Sequence, residues 1–385
     1  MLDRRVVGNV PQKPHLRATT AAGEPLYEEC ITRAGFDGAF SMLYRLHRPH
    51  EARPGLVSSA FTTPDLVVAR PLVRRHYRCS ALPVSTTSAL ARTPLLLNRD
   101  VTIGFLRPSE PDRDYFVNAD GDELFFVHEG EGLLRTAFGD LPYRAGDYLG
   151  IPKGVLHRFV PTPGARHALL WLEFSGALGV PAHYRNPLGQ LRMDAPYTHR
   201  DFRTPTEVAP LDEGIRALTV KRRGTWHGYT LRHSPLDVVG WDGAVYPFVL
   251  PILSFSPRVG QVHLPPPVHA TFAAPGALLC SFVPRPLDFH PQANPVPFPH
   301  SSVDVDEVLF YANDAFTSRR GIAAGSLSHH PAGIPHGPHP GAYESAPAET
   351  HTREIAVMLD CTLPLDPTRA ALGVEDAGYH ASFEA

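Results

Sequence analysis

The chain repeats itself. Gly146-Asp-Tyr-Leu-Gly-Ile-Pro152-Lys-Gly154-Val-Leu-His157 returns as Gly325-Ser-Leu-Ser-His-His-Pro331-Ala-Gly333-Ile-Pro-His336, with Gly, Pro, Gly and His at identical spacing. From the frequencies of those residue types, such a string is expected by chance only about 0.015 times in a chain of this length. Each copy follows an acidic-aliphatic run, Asp122-Glu123-Leu-Phe-Phe126 and Asp306-Glu307-Val-Leu-Phe310. A duplicated module of this kind demands two similar units, each with its own core.

Length and composition agree. With 385 residues and 43% hydrophobic content there is enough apolar material for two ordinary domains. Lys+Arg 36 against Asp+Glu 39 leaves a net charge of -3, which provides no field for gathering nucleic acid or anionic lipid and favours a small-molecule partner. The cysteines, at 30, 79, 280 and 361, are far apart and form no zinc-ribbon or disulfide pattern; they read as buried small hydrophobes. No apolar run is long enough for a signal sequence or membrane span, so a soluble cytoplasmic protein is expected. The 41 prolines discourage long helices, and the 21 histidines supply many imidazoles.

Short β-type runs separated by turn signals fill 101–174 and return from 246 to 359, so both halves read as all-β. Residues 1–60 read as an arm with edge strands, 61–200 as the first barrel, and 201–385 as the second. A polar, irregular stretch from about 175 to 215 reads as the connection. Trp241 reads as core.

The two copies differ in their chemistry. In the second, His300 precedes Glu307 and His336 follows it, giving two imidazoles and a carboxylate. That is the set which, on one face of an octahedral ion, leaves three positions open, as non-heme Fe(II) oxygenases require. The first copy keeps Glu123 and His157 but has Phe116 where the other histidine would stand, so it is expected to bind metal weakly and to be structural. The His47-Arg48-Pro49-His50-Glu51 cluster has metal-like composition but no ladder or helix to converge its side chains.

The repeated string resembles the second motif of the cupins, whose closing histidine is a metal ligand. Over residues 40 to 365 the chain further resembles the homogentisate 1,2-dioxygenases, a bicupin family. The landmarks are Leu43-Tyr-Arg45, Asn118-Ala-Asp-Gly-Asp122, Ser234-Pro-Leu-Asp-Val-Val-Gly-Trp-Asp-Gly243 with Tyr246-Pro247, Gly325-Ser-Leu327 and Pro335-His-Gly-Pro338. The resemblance implies an all-β fold of two double-stranded β-helix (jelly-roll) barrels with few short helices. It implies one Fe(II) in the later barrel, held by His300, Glu307 and His336, and cleavage of homogentisate or a close relative to maleylacetoacetate or an analogous product, as in tyrosine catabolism. The family's acid/base histidine falls on His263, with His269 as an alternative. His330 is expected to orient substrate or bound oxygen, with His329 as its competitor. His336, Phe316 and His330 are expected around the substrate. The partners implied are a small aromatic acid and O2, and the assembly a trimer or hexamer.

The sequence departs from that family at the pocket. Phe316 replaces a tyrosine nine residues after the carboxylate, Phe298 and Pro299 stand where tyrosines precede the first ligand, and the gap from His300 to Glu307 is one residue longer. Lost phenol hydroxyls change substrate discrimination. Another cupin dioxygenase, gentisate-like, or a non-enzymatic metal-binding bicupin therefore remain alternatives.

Overall fold

A computed structural model describes residues 3–58, 65–67, 70–85, 92–208, 213–294, 296–316, 318–345 and 350–384. The limit expected near residue 60 lies outside the described residues. The fold is all-β, a bicupin. Helix among the described residues is confined to short turns, of which Ala342–Ser345 and Arg369–Gly373 are α-helical.

Two seven-stranded sheets form the first barrel. One runs Gly139–Arg144, Glu131–Thr136, His157–Pro161, Tyr115–Asn118, Leu218–Arg222, Thr225–Thr230 and Arg53–Ser58. The other runs Phe248–Pro251, Asp147–Ile151, Asp122–Glu129, Ala168–Phe174, Val101–Leu106, Thr93–Leu97 and Asp366–Pro367. The second barrel is built on a six-stranded sheet, Ala270–Ala274, Ala277–Phe282, Ala356–Cys361, Asp306–Tyr311, Ser326–His330 and Arg75–Arg78. Its opposite wall is mostly loop, with a two-stranded pairing of Arg285–Pro286 to His351–Thr352 and a bridge between His300 and His336.

Pairing crosses residue 200 freely. Leu218–Arg222 lies parallel to Tyr115–Asn118, and Phe248–Pro251 pairs with Asp147–Ile151, so strands up to 251 complete the first barrel. In return, Arg75–Arg78 adds an edge to the second barrel beside Ser326–His330. The segment read as an arm contributes Arg5–Gly8, Tyr27–Thr32 and Phe40–Arg45 to a sheet with Val238–Gly243. Buried Arg45 there pairs with Asp237 at 2.7 Å, which joins two of the sequence landmarks. Trp241 is fully buried and donates to the Phe138 carbonyl. Cys79, Cys280 and Cys361 are buried as expected, but Cys30 is exposed, because its strand forms the edge of that sheet.

Strand alternation explains the double burial of the central strands. In Asp122–Glu129, Phe125 points into the first barrel and packs on Phe159, while Phe126 points out and meets Phe310 of the second barrel at 6.1 Å. Phe310 also packs on Phe105 at 5.8 Å, and Tyr148 on Phe272 at 5.8 Å. A sheet of each barrel thus lies against the other, and the inter-barrel layer is one continuous apolar core.

The repeat has a common mechanical basis. Gly146 and Gly325 adopt φ of 87° and 80°, and Gly154 and Gly333 both 87°, a left-handed conformation that side chains disfavour. The aspartates before Glu123 and Glu307 pin the turn back onto the strand. Asp122 accepts from the Lys153 and Leu178 backbone N–H groups at 2.7 and 2.8 Å; Asp306 accepts from those of Ala332 and Leu365 at 2.8 and 2.9 Å. The following glutamate, one residue on, is left pointing into the barrel.

Candidate metal centre

In the second barrel the pinned strand brings Glu307 to face two histidines from the loop wall. His300 and His336 exchange both backbone hydrogen bonds, each N–H to the other's carbonyl at 2.8 Å, which locks them side by side. The Nε2 atoms of His300 and His336 lie 3.8 and 3.6 Å from Glu307 Oε2, and the donor atoms of all three residues lie within 4.8 Å of one another. Each ring directs Nδ1 toward the carbonyl two residues earlier, Phe298 and Ile334, at 3.4 Å. That arrangement turns the Nε2 lone pairs toward the carboxylate.

A divalent ion fits these donors. Zinc- and iron-type bonds of about 2.1 Å place adjacent ligand atoms roughly 3 to 3.5 Å apart, so the two histidine nitrogens, at 3.6 and 3.8 Å from the carboxylate oxygen, need only a small inward shift to share an ion. His336 Nε2 is buried and has no hydrogen-bond partner, an orphan that would otherwise be costly. Two neutral imidazoles and a carboxylate match ferrous iron as well as other divalent ions.

The surroundings hold the carboxylate ionised. Burial alone would push Glu307 up, but the hydrogen bond from His330 and the adjacent His336 imidazole hold its carboxyl well below the usual range. His330 lies directly across the ladder from Glu307 and donates Nδ1–H to Oε1 at 2.7 Å. Burial holds His330 down to about 3, so it does this as a neutral ring. It is stacked on His336 at 4.7 Å and is absent from the cavity wall. His330 thus touches Glu307 and His336, bracing the carboxylate on the side away from the cavity. His329, its neighbour on the strand, points to the opposite face and is engaged with Asp306 at 2.9 Å.

The triad opens on a cavity of about 330 Å³. Its wall is largely apolar, with Leu264, Phe282, Val296, Phe298, Leu309 and Phe316. His263 and His269 both line it. His263 meets the edge of Phe298 at 5.2 Å, and burial lowers its pKa despite nearby Asp288. His269 is more deeply set, against Phe282, and burial with neighbouring Arg285 takes it down to about 3. His336, expected near substrate, is buried behind His300, whereas Phe316 is on the wall.

The first barrel holds a different cation. Phe116 pairs with His157 as His300 pairs with His336, and His157 Nδ1 again meets the carbonyl two residues earlier, Val155, at 3.0 Å. Where a metal would sit, Arg92 Nη1 lies 2.7 Å from Glu123 Oε1, both side chains fully buried. Its guanidinium carbon is 4.7, 5.2 and 5.3 Å from the rings of Phe116, Phe125 and Trp171. Trp171 Nε1 donates to the same carboxylate at 3.0 Å. Nothing in the repeat signalled Arg92, which lies far upstream of either motif.

One other set among the described residues clusters similarly, His47, His233 and Asp237. There Asp237 already accepts from Arg45 and the His47 backbone, and His233 Nδ1 donates to the Ser234 carbonyl at 3.0 Å, so a cation would have to displace Arg45.

Fold and site together define a two-barrel β-protein in which His300, Glu307 and His336 form a group that could hold a metal beside a cavity. The comparisons narrow the class. A family model described as homogentisate 1,2-dioxygenase N-terminal matches residues 101–252. A Saccharolobus solfataricus protein that carries the provisional name dioxygenase is 33% identical over 98% of this chain and 97% of its own. The homogentisate 1,2-dioxygenase of Bradyrhizobium diazoefficiens is 30% identical over 60% of this chain and 52% of its own, and one from Rhodopseudomonas palustris is 29% identical over 67% and 59%. The match to those two thus spans little more than half of their length. Among solved structures, a cupin 2 conserved barrel domain protein from Leptotrichia buccalis aligns over 77% of this chain and all of its own, at 10% identity and TM-score 0.36. The chain is thus related over nearly all its length to the Saccharolobus solfataricus protein, and over part of its length it is similar to the homogentisate 1,2-dioxygenases.

Proposed function

We propose that the protein is an Fe(II)-dependent ring-cleaving dioxygenase for homogentisate or a closely related hydroxylated aromatic acid, giving maleylacetoacetate or an analogous ring-opened product. The observation that carries this reading is the triad of His300, Glu307 and His336, with the unpartnered His336 Nε2 and the ionised carboxylate converging beside a largely apolar cavity. Ferrous iron, held there, supplies the electron chemistry that lets O2 react with an aromatic ring.

The remaining work falls to side chains. The apolar wall excludes water and accepts one aromatic ring. His263, on that wall and held neutral by burial, takes the phenolic proton on a ring nitrogen as the substrate seats. His330 keeps Glu307 ionised and oriented throughout. Phe316, edge-on to Tyr311 at 4.6 Å, contributes no hydroxyl, which favours a substrate lacking one polar group or differing from homogentisate at that edge. This reading also takes the protein to be a cytoplasmic homo-oligomer, trimer or hexamer.

Oxygen-electrode traces of anaerobically iron-loaded protein with homogentisate, gentisate and their methylated analogues test it. Stoichiometric O2 uptake with one of these, abolished in His263→Ala at neutral pH, is expected. Bound iron without uptake on any of them would instead favour a non-enzymatic metal-binding bicupin.

A further inference from the structure

The cavity wall carries three arginines, and two of them are already matched. Arg285 pairs with Glu354 at 2.6 Å, and Arg258 donates to the Asp194 carbonyl, with the Asp194 carboxylate 3.6 Å away. Arg319 differs. Its guanidinium donates to the Gly337 carbonyl and sits beside the phenols of Tyr311 and Tyr379, all neutral partners. Among the described residues no carboxylate lies within ion-pair distance of it, although it lines the cavity beside Glu307 and Phe316. Burial opposes its charge, but Tyr311, Tyr379 and Glu307 hold it protonated.

With no carboxylate paired to it among the described residues, the guanidinium keeps its charge available to an anion that enters the cavity. Metal loading sharpens the imbalance. A divalent ion, one carboxylate and one guanidinium leave a surplus of two positive charges around neutral imidazoles. Asp288, also on the wall, lies on the His263 side. A cavity of about 330 Å³ with an apolar lining fits one substituted benzene ring, and a planar guanidinium presents a fork that matches a carboxylate.

We propose that Arg319 binds the carboxylate of a monocyclic aromatic acid and so sets the preference for anionic over neutral phenols. This rests on the dioxygenase reading above and adds to it the residue that selects the acid.

Anaerobic calorimetric titration of the Fe(II)-loaded protein with 2-hydroxyphenylacetate and with neutral 2-hydroxybenzyl alcohol tests it. The wild type is expected to bind the acid about tenfold or more tightly than the alcohol. Arg319→Met is expected to erase that difference while iron content and alcohol affinity stay unchanged. Arg319→Lys, which keeps the charge but not the fork, is expected to weaken the acid alone, by several-fold. An Arg319→Met protein that keeps the preference overturns the proposal, as does a wild type without one. If Arg319→Met does not fold, Arg319→Lys decides: an equal loss for both ligands, or none, overturns it. Failure of the dioxygenase reading looks different, since acid preference without O2 uptake on any dihydroxyphenyl acid would leave Arg319 standing.

Discussion

Arg92 and Phe116 occupy, in the first barrel, the positions where the second barrel brings His300 and the open side of Glu307 together. Phe116 offers no donor, and the guanidinium pairs its positive charge with the remaining carboxylate while packing over aromatic rings. Glu123 is consequently no longer a spare ligand; it is the counter-ion of a cation with no route to water. Truncating one partner of a buried pair leaves the other uncompensated, at a cost of about 3–5 kcal/mol. Glu123→Ala is therefore expected to be strongly destabilised in urea unfolding, and the double change Glu123→Gln with Arg92→Met to recover most of that loss. Equal stability of Glu123→Ala and wild type would contradict the pairing. The corresponding contact in the second barrel, His330 to Glu307, is expected to matter through metal affinity.

At the scale of strands and turns, the duplicated string is a hairpin whose glycines supply the left-handed residues and whose upstream aspartate ties the turn to the strand. Removing that aspartate should have different consequences in the two barrels. Asp306→Ala leaves the Ala332 and Leu365 N–H groups and His329 unpaired, which costs about 2–4 kcal/mol and loosens the turn that carries His336. Asp122→Ala should cost a similar amount without altering metal content. Denaturant midpoints combined with metal analysis separate these outcomes; unchanged iron affinity in Asp306→Ala would show that the pin does not position the ligand. This level was the most legible in the sequence. Gly, Pro, Gly and His at fixed spacing encode a local turn, and Glu307, His300 and His336 meet because that turn and one strand bring them together. The contact of His330 with Glu307 was not legible, since only the ladder register shows that the two face each other.

Across the whole molecule, strand pairing was less legible. Leu218–Arg222 and Arg75–Arg78 cross between halves, and such non-local partners leave no mark in the periodicity of either strand. Arg92 was invisible for the same reason, as its significance depends on a barrel assembled from distant segments. The buried histidines also give the molecule a pH response. Burial takes His157 down to about 4 and His269 to about 3, below the usual 6.5, so both are neutral when folded. The unfolded chain takes up protons that the folded one refuses, so stability is full above pH 6.5 and falls as pH drops toward 4. Between pH 6.5 and 5 each such histidine contributes a loss of about 2 kcal/mol, to be read from chelator-treated protein in guanidinium. A flat profile would mean that these rings are protonated inside the fold. The central claim, one metal in the second barrel only, is tested most directly by anomalous diffraction at the iron edge from anaerobically loaded crystals. A single peak among His300, Glu307 and His336, absent in Glu307→Ala, is expected; a peak beside Glu123 and His157, or none in the second barrel, would contradict it.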